Sequence, residues 1–470
     1  KVLKMSKYKV NNTASVYVSA AHKSSGKTII SLGLSRIFSD LNHNIQTFKK
    51  GPDYIDMGWL SFASRKNSYN LDFNTQTPKE IKDLYDNKKT NINLIEGNKG
   101  LYDGVNLHGK DDNSAMSILL GVPVILVIDT QGITRGIAPL LQGYVNFEKK
   151  CNIKGIILNK VSTERHESKL INSVENYTDL KILGSVRKNK DLVISERHLG
   201  LIPANEKKVV EKKINAISNI ISESISKKEF SALGINFKKK KIDKKIVQNI
   251  TTKKVITKIK IGVFYDSSFG FYYADDIENL KKYGAEIVYI NAVKNKKIPN
   301  VDAIFIGGGF PEINAEKLSK NKILMLNLKK FIEEEKPCYA ECGGLMYLSE
   351  SIKYNSKKYK MVGIIPGCIN MSKKPIGRGY VQLEVKKNHL WNSAPTEIIN
   401  AHEFHHANLI LNKGVKNNFC YNVKRGYGIN GKSDGYMYKK LLANFTHLRN
   451  TEQYPWVKYF INFIKESKND

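Results

Sequence analysis

Two short strings in this chain combine residue types and spacings that could do chemistry. Near the N-terminus, Ser24-Ser25-Gly26-Lys27-Thr28 follows a short apolar run, residues 16–20. A loop that holds nucleotide phosphates needs small residues, so that backbone N–H groups can turn toward oxygens. It also needs a lysine for the terminal phosphates and a hydroxyl for Mg²⁺. Gly26, Lys27 and Thr28 supply the last three elements, while Ser24 and Ser25 keep the loop compact. Far along the chain, Tyr339-Ala340-Glu341-Cys342-Gly343-Gly344-Leu345 sets a cysteine between an apolar run and two glycines. That pattern exposes sulfur on a sharp strand-to-helix turn, where the helix dipole favours thiolate. One chain that handles ATP and also forms a thioester points to amide synthesis fed by glutamine.

Further groups accompany each string. Lys49-Lys50-Gly51-Pro52-Asp53-Tyr54-Ile55-Asp56 places two carboxylates three residues apart after a Gly-Pro turn, and Glu96 and Asp103 each sit beside a glycine. Carboxylates at strand ends near a triphosphate are candidate Mg²⁺ ligands; each taken alone also reads as a turn residue or a helix cap. In the second half, Gly307-Gly308-Gly309-Phe310-Pro311-Glu312 makes a glycine turn whose N–H groups could stabilise an oxyanion. Cys338, four residues before Cys342 and inside the expected strand, reads as a buried structural thiol.

The elements that must position these groups alternate in type. Short apolar runs at 16–20, 92–95, 122–128 and 153–158 read as buried strands, and 28–40 as a helix, which predicts parallel βαβ units in a doubly wound sheet. Residues 208–228 carry a helical apolar period, and 237–258 read as a lysine-rich connection. The pattern then restarts with strands at 259–264, 285–290 and 303–306, and 337–340 leads into Cys342. A chain of 470 residues is too long for one ordinary core. The expected organisation is α/β throughout, with a first domain over 14–236, a linker over 237–258 and a second domain over 259–470.

Composition narrows the class. The formal charge of +32 is nearly all lysine spread along the chain. It reads as solvated faces or as attraction for polyanionic ligands, and no DNA-binding motif accompanies it, so no nucleic-acid partner is expected. No run of about 20 apolar residues predicts a membrane span. The basic, polar residues 1–13 lack an apolar signal core, so a cytoplasmic location is expected. Five scattered cysteines without metal-ligand spacing fit a reducing compartment.

The strings Gly-Pro-Asp-Tyr-Ile-Asp, Glu-Gly-x-x-Gly-Leu-Tyr-Asp-Gly and Ser-Ser-Gly-Lys-Thr together resemble the cobyrinic acid a,c-diamide synthases, members of the dethiobiotin-synthetase-like ATPase group. Phe269-Gly270-Phe271-Tyr272-Tyr273 is similar to the start of that family's second domain. The loop departs from the usual pattern at Ala21, where glycine is common. The resemblance implies a P-loop amidoligase domain followed by a class I glutamine amidotransferase-like domain. It implies that ATP activates a substrate carboxylate as an acyl phosphate, which ammonia from L-glutamine then attacks. It further implies that Ser24, Ser25, Gly26, Lys27 and Thr28 bind nucleotide, and that Thr28, Asp53 and Glu96 bind Mg²⁺. Tyr54, Asp56 and Asp103 then lie at the substrate or acyl-phosphate site, and Gly308 and Gly343 at the oxyanion hole.

The base for Cys342 is implied by the same resemblance. Phe445-Thr446-His447-Leu448 is similar to the family's closing Tyr-Thr-His-Leu-His string, whose first histidine partners the cysteine. Arg449 stands where the second family histidine usually sits. The glutamate that typical glutaminases carry two residues after the histidine is absent, and the resembled enzymes manage with a Cys–His pair. The implied partners are a tetrapyrrole polycarboxylate, ATP and glutamine, with a homodimer as the candidate assembly. Cobyrinic acid, amidated on its a and c acetates, is the leading substrate. Ala21-His22-Lys23-Ser24-Ser25-Gly26-Lys27-Thr28 and Gly377-Arg378-Gly379-Tyr380 also resemble a branch associated with sulfur oxidation, which makes sirohydrochlorin or sirohaem the alternative. Arg378 reads either as a partner for a tetrapyrrole carboxylate or as a surface arginine.

Three competing readings meet physical objections. A partitioning-type ATPase needs no glutaminase. A regulatory module without ammonia transfer needs no intact phosphate loop. His402-Glu403-Phe404-His405-His406 matches a zinc-protease string, but that chemistry requires both histidines on one helical face, and the residues leading into it look like a strand.

Overall fold

The computed structural model describes residues 13–194, 207–240, 259–391, 394–395, 397–415 and 418–469. These residues divide into two compact units, one within 13–240 and one within 259–469. Among them, no helix is long and apolar enough to cross a membrane.

The first unit is built on β1 (Ala14–Ala20), β2 (Ile45–Lys50), β3 (Tyr69–Leu71), β4 (Ile92–Glu96), β5 (Val124–Asp129), β6 (Ile153–Val161) and β7 (Lys181–Arg187). They form one parallel sheet in the order β3-β2-β4-β1-β5-β6-β7. β1, β4 and β5 are buried on both faces, which is why they read as nearly continuous apolar runs. β2 is equally buried, yet four of its six residues are polar. It folds inward because partners await its side chains: Gln46 Nε2 donates to Asn67 O at 2.7 Å, and Lys49 finds carboxylates described below. No alternating or apolar pattern announces such a strand.

Helix α1 (Lys27–Asp40) opens directly from the loop after β1, and Gly26 before it adopts φ 100°. α1 packs against the helix Lys207–Ser224. Gly33 makes the approach close, since a Cβ there would lie 2.5 Å from Ile221, and the fully buried Arg36 reaches Glu211 at 2.7 Å. The helical period at 208–228 is split in two. Ser226 accepts from Glu229 N and starts a second helix, Lys227–Ala232. The connection expected from residue 237 starts later, because Phe237 packs on Phe38 and Phe230 with ring centroids 5.0 and 5.8 Å apart. Residues 241–258 of that connection lie outside the described residues.

The second unit departs from a purely alternating α/β pattern. Its nine-stranded sheet has a parallel part formed by Ile259–Phe264, Ala285–Ile290, Ala303–Ile306, Cys338–Glu341 and Leu441–Asn444. Antiparallel strands Ser433–Tyr438, Phe419–Arg425, Gly377–Val385 and Ile398–His405 extend it, and a separate four-stranded sheet packs nearby in the same unit. Cys338 is buried among the apolar side chains of this core, and burial pushes its thiol up, as suits a structural cysteine.

Candidate active sites

In the first unit the site gathers at the C-terminal ends of β1, β2 and β4, where the order of the sheet reverses around β1. Register does the positioning. Lys49 of β2 lies opposite Glu96 of β4, so both side chains leave the same face. Lys49 Nζ donates to Glu96 Oε1 at 2.8 Å, to Asp56 Oδ2 at 2.7 Å and to Gly97 O at 3.3 Å. Burial works against the ammonium, but Asp56 and Glu96 outweigh it and hold Lys49 protonated, well above the ordinary lysine value. Burial raises the Glu96 carboxyl; burial also opposes ionisation of Asp56, yet Lys49 keeps that carboxyl below its usual range.

The loop meets this cluster from the other side. Thr28 Oγ1 donates to Glu96 Oε1 at 2.7 Å. Glu96 Oε2 is buried with no hydrogen-bond partner, a costly state that a ligand would relieve. The oxygens of Thr28 and Glu96 fit the chemistry of a Mg²⁺ ion, and these two residues would hold it. Among the described residues no group of three His, Cys, Asp or Glu is arranged as a closed metal site. Lys27 is pulled down to about 8, first by burial and then by Lys49, while Glu96, Asp56 and Asp103 act in the opposite sense.

Asp53 and Tyr54 belong to the start of helix α2 (Tyr54–Ser64). Asp53 Oδ1 accepts from the amides of Ile55 and Asp56, both at 2.9 Å, so it is the helix cap as well as a neighbour of Asp56. Burial, followed by Asp56, raises its carboxyl to about 7. Asp103 accepts from Gly100 N at 3.0 Å. Ser25 Oγ donates to His22 O at 2.8 Å and braces the loop. Gly26 is required by space as well as by φ, since a Cβ would meet Asn159 Nδ2 at 2.1 Å. Asn159 Nδ2 donates to Ser25 O at 2.8 Å, and Lys160 Nζ joins Ser24 O to Asp129 at 3.0 and 2.6 Å. Lys49, Asn159 and Lys160 escaped the sequence reading. Lys49 alone left a signal there, standing just before the Gly-Pro-Asp string.

In the second unit, pairing of Cys338–Glu341 with Leu441–Asn444 sets Glu341 opposite Asn444. The chain beyond each strand end therefore emerges side by side, so the segments that carry Cys342 and His447 leave the sheet at the same edge, and His447 Nδ1 faces Glu341, the residue before Cys342. Cys342 has φ 46° and ψ −101°, a conformation that costs a non-glycine residue about 1–3 kcal/mol. The turn is held by Cys342 N, which donates to Asn444 O at 2.7 Å, and by Gly344, where a Cβ would strike Ile306 O at 2.2 Å. A Cβ on Gly343 would touch Gly309 N at 3.0 Å, and one on Gly308 would lie 2.4 Å from His447 Cε1. The turn at Cys342, the glycine turn and the His447 imidazole thus pack against one another.

The helix dipole is not what governs the thiol. Burial, reinforced by Glu312, pushes Cys342 well above the ordinary cysteine value, so a base must take its proton. Burial also lifts Glu312 to about 7. The His447 imidazole stacks on His402 at 4.9 Å and 16°, and its Nδ1 lies 3.3 Å from Glu341 Oε2. His402 Nδ1 faces Tyr273 OH at 3.2 Å, and burial, His447 and Arg449 keep that ring neutral. Arg449 pairs with Asp275 at 2.7 Å and lies 4.0 Å from the Tyr273 ring.

The zinc-protease string is a strand, Ile398–His405. Its alternation puts Glu403 on the face opposite His402, and the string's second histidine, His406, follows the strand end with its Nδ1 3.1 Å from Ser372 O. Glu403 accepts from the amides of Tyr427 and Gly428, and His405 stacks on Phe445 at 4.2 Å. Arg378 is exposed and sits opposite Phe404 in the sheet.

A phosphate loop over paired charges in one unit and a cysteine elbow beside an imidazole in the other define a nucleotide-binding domain joined to an amidotransferase domain. Family models agree: residues 18–201 match the CobQ/CobB/MinD/ParA nucleotide binding domain, and residues 260–454 match the CobB/CobQ-like glutamine amidotransferase domain. A protein of Magnetococcus marinus named cobyrinate a,c-diamide synthase is 34% identical over 96% of this chain and 97% of its own length. Proteins of the same name from Methanobrevibacter smithii (35% identical, 90% of this chain, 92% of that protein) and Picrophilus torridus (36%, 92% and 95%) are similar. The chain belongs to the cobyrinate a,c-diamide synthase family.

Proposed function

We propose that this chain uses ATP and glutamine to convert the a and c acetate carboxylates of cobyrinic acid into amides. The observation that carries the reading is the joining, in one chain, of the Thr28–Glu96–Lys49–Asp56 cluster and the Cys342–His447 elbow. Full-length relatives named for this reaction support it. Activation belongs to 14–236 and ammonia production to 259–470.

In the first unit an acetate oxygen attacks the γ-phosphorus of ATP, the bond to ADP breaks and an acyl phosphate forms. Lys27 and Lys49 place two cations where negative charge develops, which lowers the barrier without any reorganisation. Thr28 and Glu96, with Asp53, would hold Mg²⁺, whose chemistry is to neutralise phosphate oxygens. Asp56 and Asp103 with Tyr54 border the acceptor side. In the second unit Cys342 Sγ bonds to the amide carbon of glutamine as its proton passes to His447. The oxyanion meets N–H groups of the Gly308 turn and Gly343. His447 returns the proton to the departing nitrogen, ammonia leaves, and water hydrolyses the thioester to glutamate. Ammonia then forms the C–N bond on the acyl phosphate and inorganic phosphate departs. A reaction that draws on ATP and glutamine belongs in the cytoplasm.

Mass spectrometry after incubation with ATP, Mg²⁺, glutamine and cobyrinic acid should show two successive losses of about one mass unit, the change from hydroxyl to amino at each carboxyl. Conversion of sirohydrochlorin with cobyrinic acid untouched would transfer the mechanism to that substrate. No change with either would refute the reading.

A further inference from the structure

His447 faces a carboxylate that comes from an unexpected place. Glu341 is the last residue of Cys338–Glu341, directly before the nucleophile, and it is buried together with the histidine. A buried carboxylate must be satisfied, and its bonds decide where it points. Glu341 Oε1 accepts from Tyr339 OH at 2.5 Å and from Leu448 N at 3.0 Å. Those two bonds leave Oε2 directed at His447 Nδ1, 3.3 Å away. One donor is two residues upstream on the same strand and the other belongs to the residue after the histidine, so strand and histidine segment are tied by a single carboxylate. The position two residues beyond the histidine is Arg449, which turns to Asp275 instead.

We propose that Glu341 is the positioning residue for glutamine hydrolysis at Cys342, fixing both the orientation and the tautomer of His447. The inference rests on the Cys342–His447 reading above. A neutral imidazole carries one proton, and a carboxylate at Nδ1 demands that the proton sit there. Nε2 is then the acceptor that takes the Sγ proton as the S–C bond forms. The imidazolium so produced is stabilised by the Glu341 carboxylate beside it, and the same proton leaves from Nε2 to the ammonia nitrogen. The backbone reversal at Cys342 lets one strand end supply both parts, with the thiol on one side of the turn and the acid on the other.

Glu341→Gln tests this. Its carbonyl can keep the Tyr339 and Leu448 bonds, while its NH₂ group favours the opposite tautomer. Glutamine-dependent kcat should fall about 10²–10⁴-fold with the KM for glutamine within about twofold, and synthesis from free ammonia should be unchanged. Tyr339→Phe loosens one of the two bonds that aim the carboxylate and should lower the same kcat about fivefold at constant KM. Wild-type kcat in folded Glu341→Gln overturns the inference; should that variant not fold, wild-type kcat in Tyr339→Phe does so. Cys342→Ala separates the two claims. If it retains glutamine-dependent synthesis, the glutaminase reading fails; if it loses synthesis while Glu341→Gln stays fully active, only the role of Glu341 fails.

Discussion

The two units solve opposite electrostatic problems. The first concentrates full charges: Lys49 is buried between Asp56 and Glu96, and Lys27 lies close enough to feel Lys49 and the surrounding carboxylates. The second keeps its reacting groups neutral. Burial holds the Cys342 thiol protonated and His402 uncharged, and reactivity depends on a strained turn and a packed imidazole. A phosphoryl group arrives carrying its own charge, so a site for it can be organised by countercharges fixed in advance. A neutral amide brings none, so its site must be organised by shape and by one proton in the right place.

The contrast breaks most visibly at Lys49. Lys49→Met leaves Asp56 and Glu96 buried without their cation, at a cost of about 3–5 kcal/mol. Synthesis should drop about 10³-fold with glutamine and with ammonia alike, while iodoacetamide still alkylates Cys342 at the wild-type rate. Glu96→Gln and Asp53→Asn should act in the same direction, and full turnover in both would contradict the charge-cluster assignment.

Gly308→Ala probes packing in place of charge. A methyl group there collides with His447, and glutamine-dependent turnover should fall about 10²-fold with ammonia-dependent synthesis intact. A smaller effect is expected from pH. Glu312, lifted to about 7, is neutral below that value and ionised above it, where its charge opposes the Cys342 thiolate. At pH 5.5 the Cys342 peptide of Glu312→Gln should be alkylated at the wild-type rate; at pH 8.5 it should react about threefold faster. An equal ratio at both values would remove Glu312 from the account. The smallest change is in stability. Cys342→Gly relieves the positive φ and should raise stability by about 1 kcal/mol in a denaturant titration.

The same contrast explains what the sequence disclosed. Sites made of charge leave compact strings, and the phosphate loop, the Gly51–Asp56 turn and Glu96 all stood out because their spacing is local. β2 did not, because four of its six residues are polar and their partners are supplied by other segments. The antiparallel strands of the second unit gave no signal as a set, since their order depends on pairings between distant residues. Glu341 was in plain view beside Cys342, but only the register with Asn444 shows that it meets His447. The helix dipole argument for a thiolate also fell short, because the helix after Cys342 is six residues long and wholly buried, and desolvation dominates there.

The division of labour between the two units is tested most directly by one product analysis of Cys342→Ala. With ATP, Mg²⁺, cobyrinic acid and ammonium chloride, the account predicts both amides at close to the wild-type rate, and with glutamine as the nitrogen donor it predicts none. Loss of amidation with ammonia in a folded variant, or its persistence with glutamine, would contradict it.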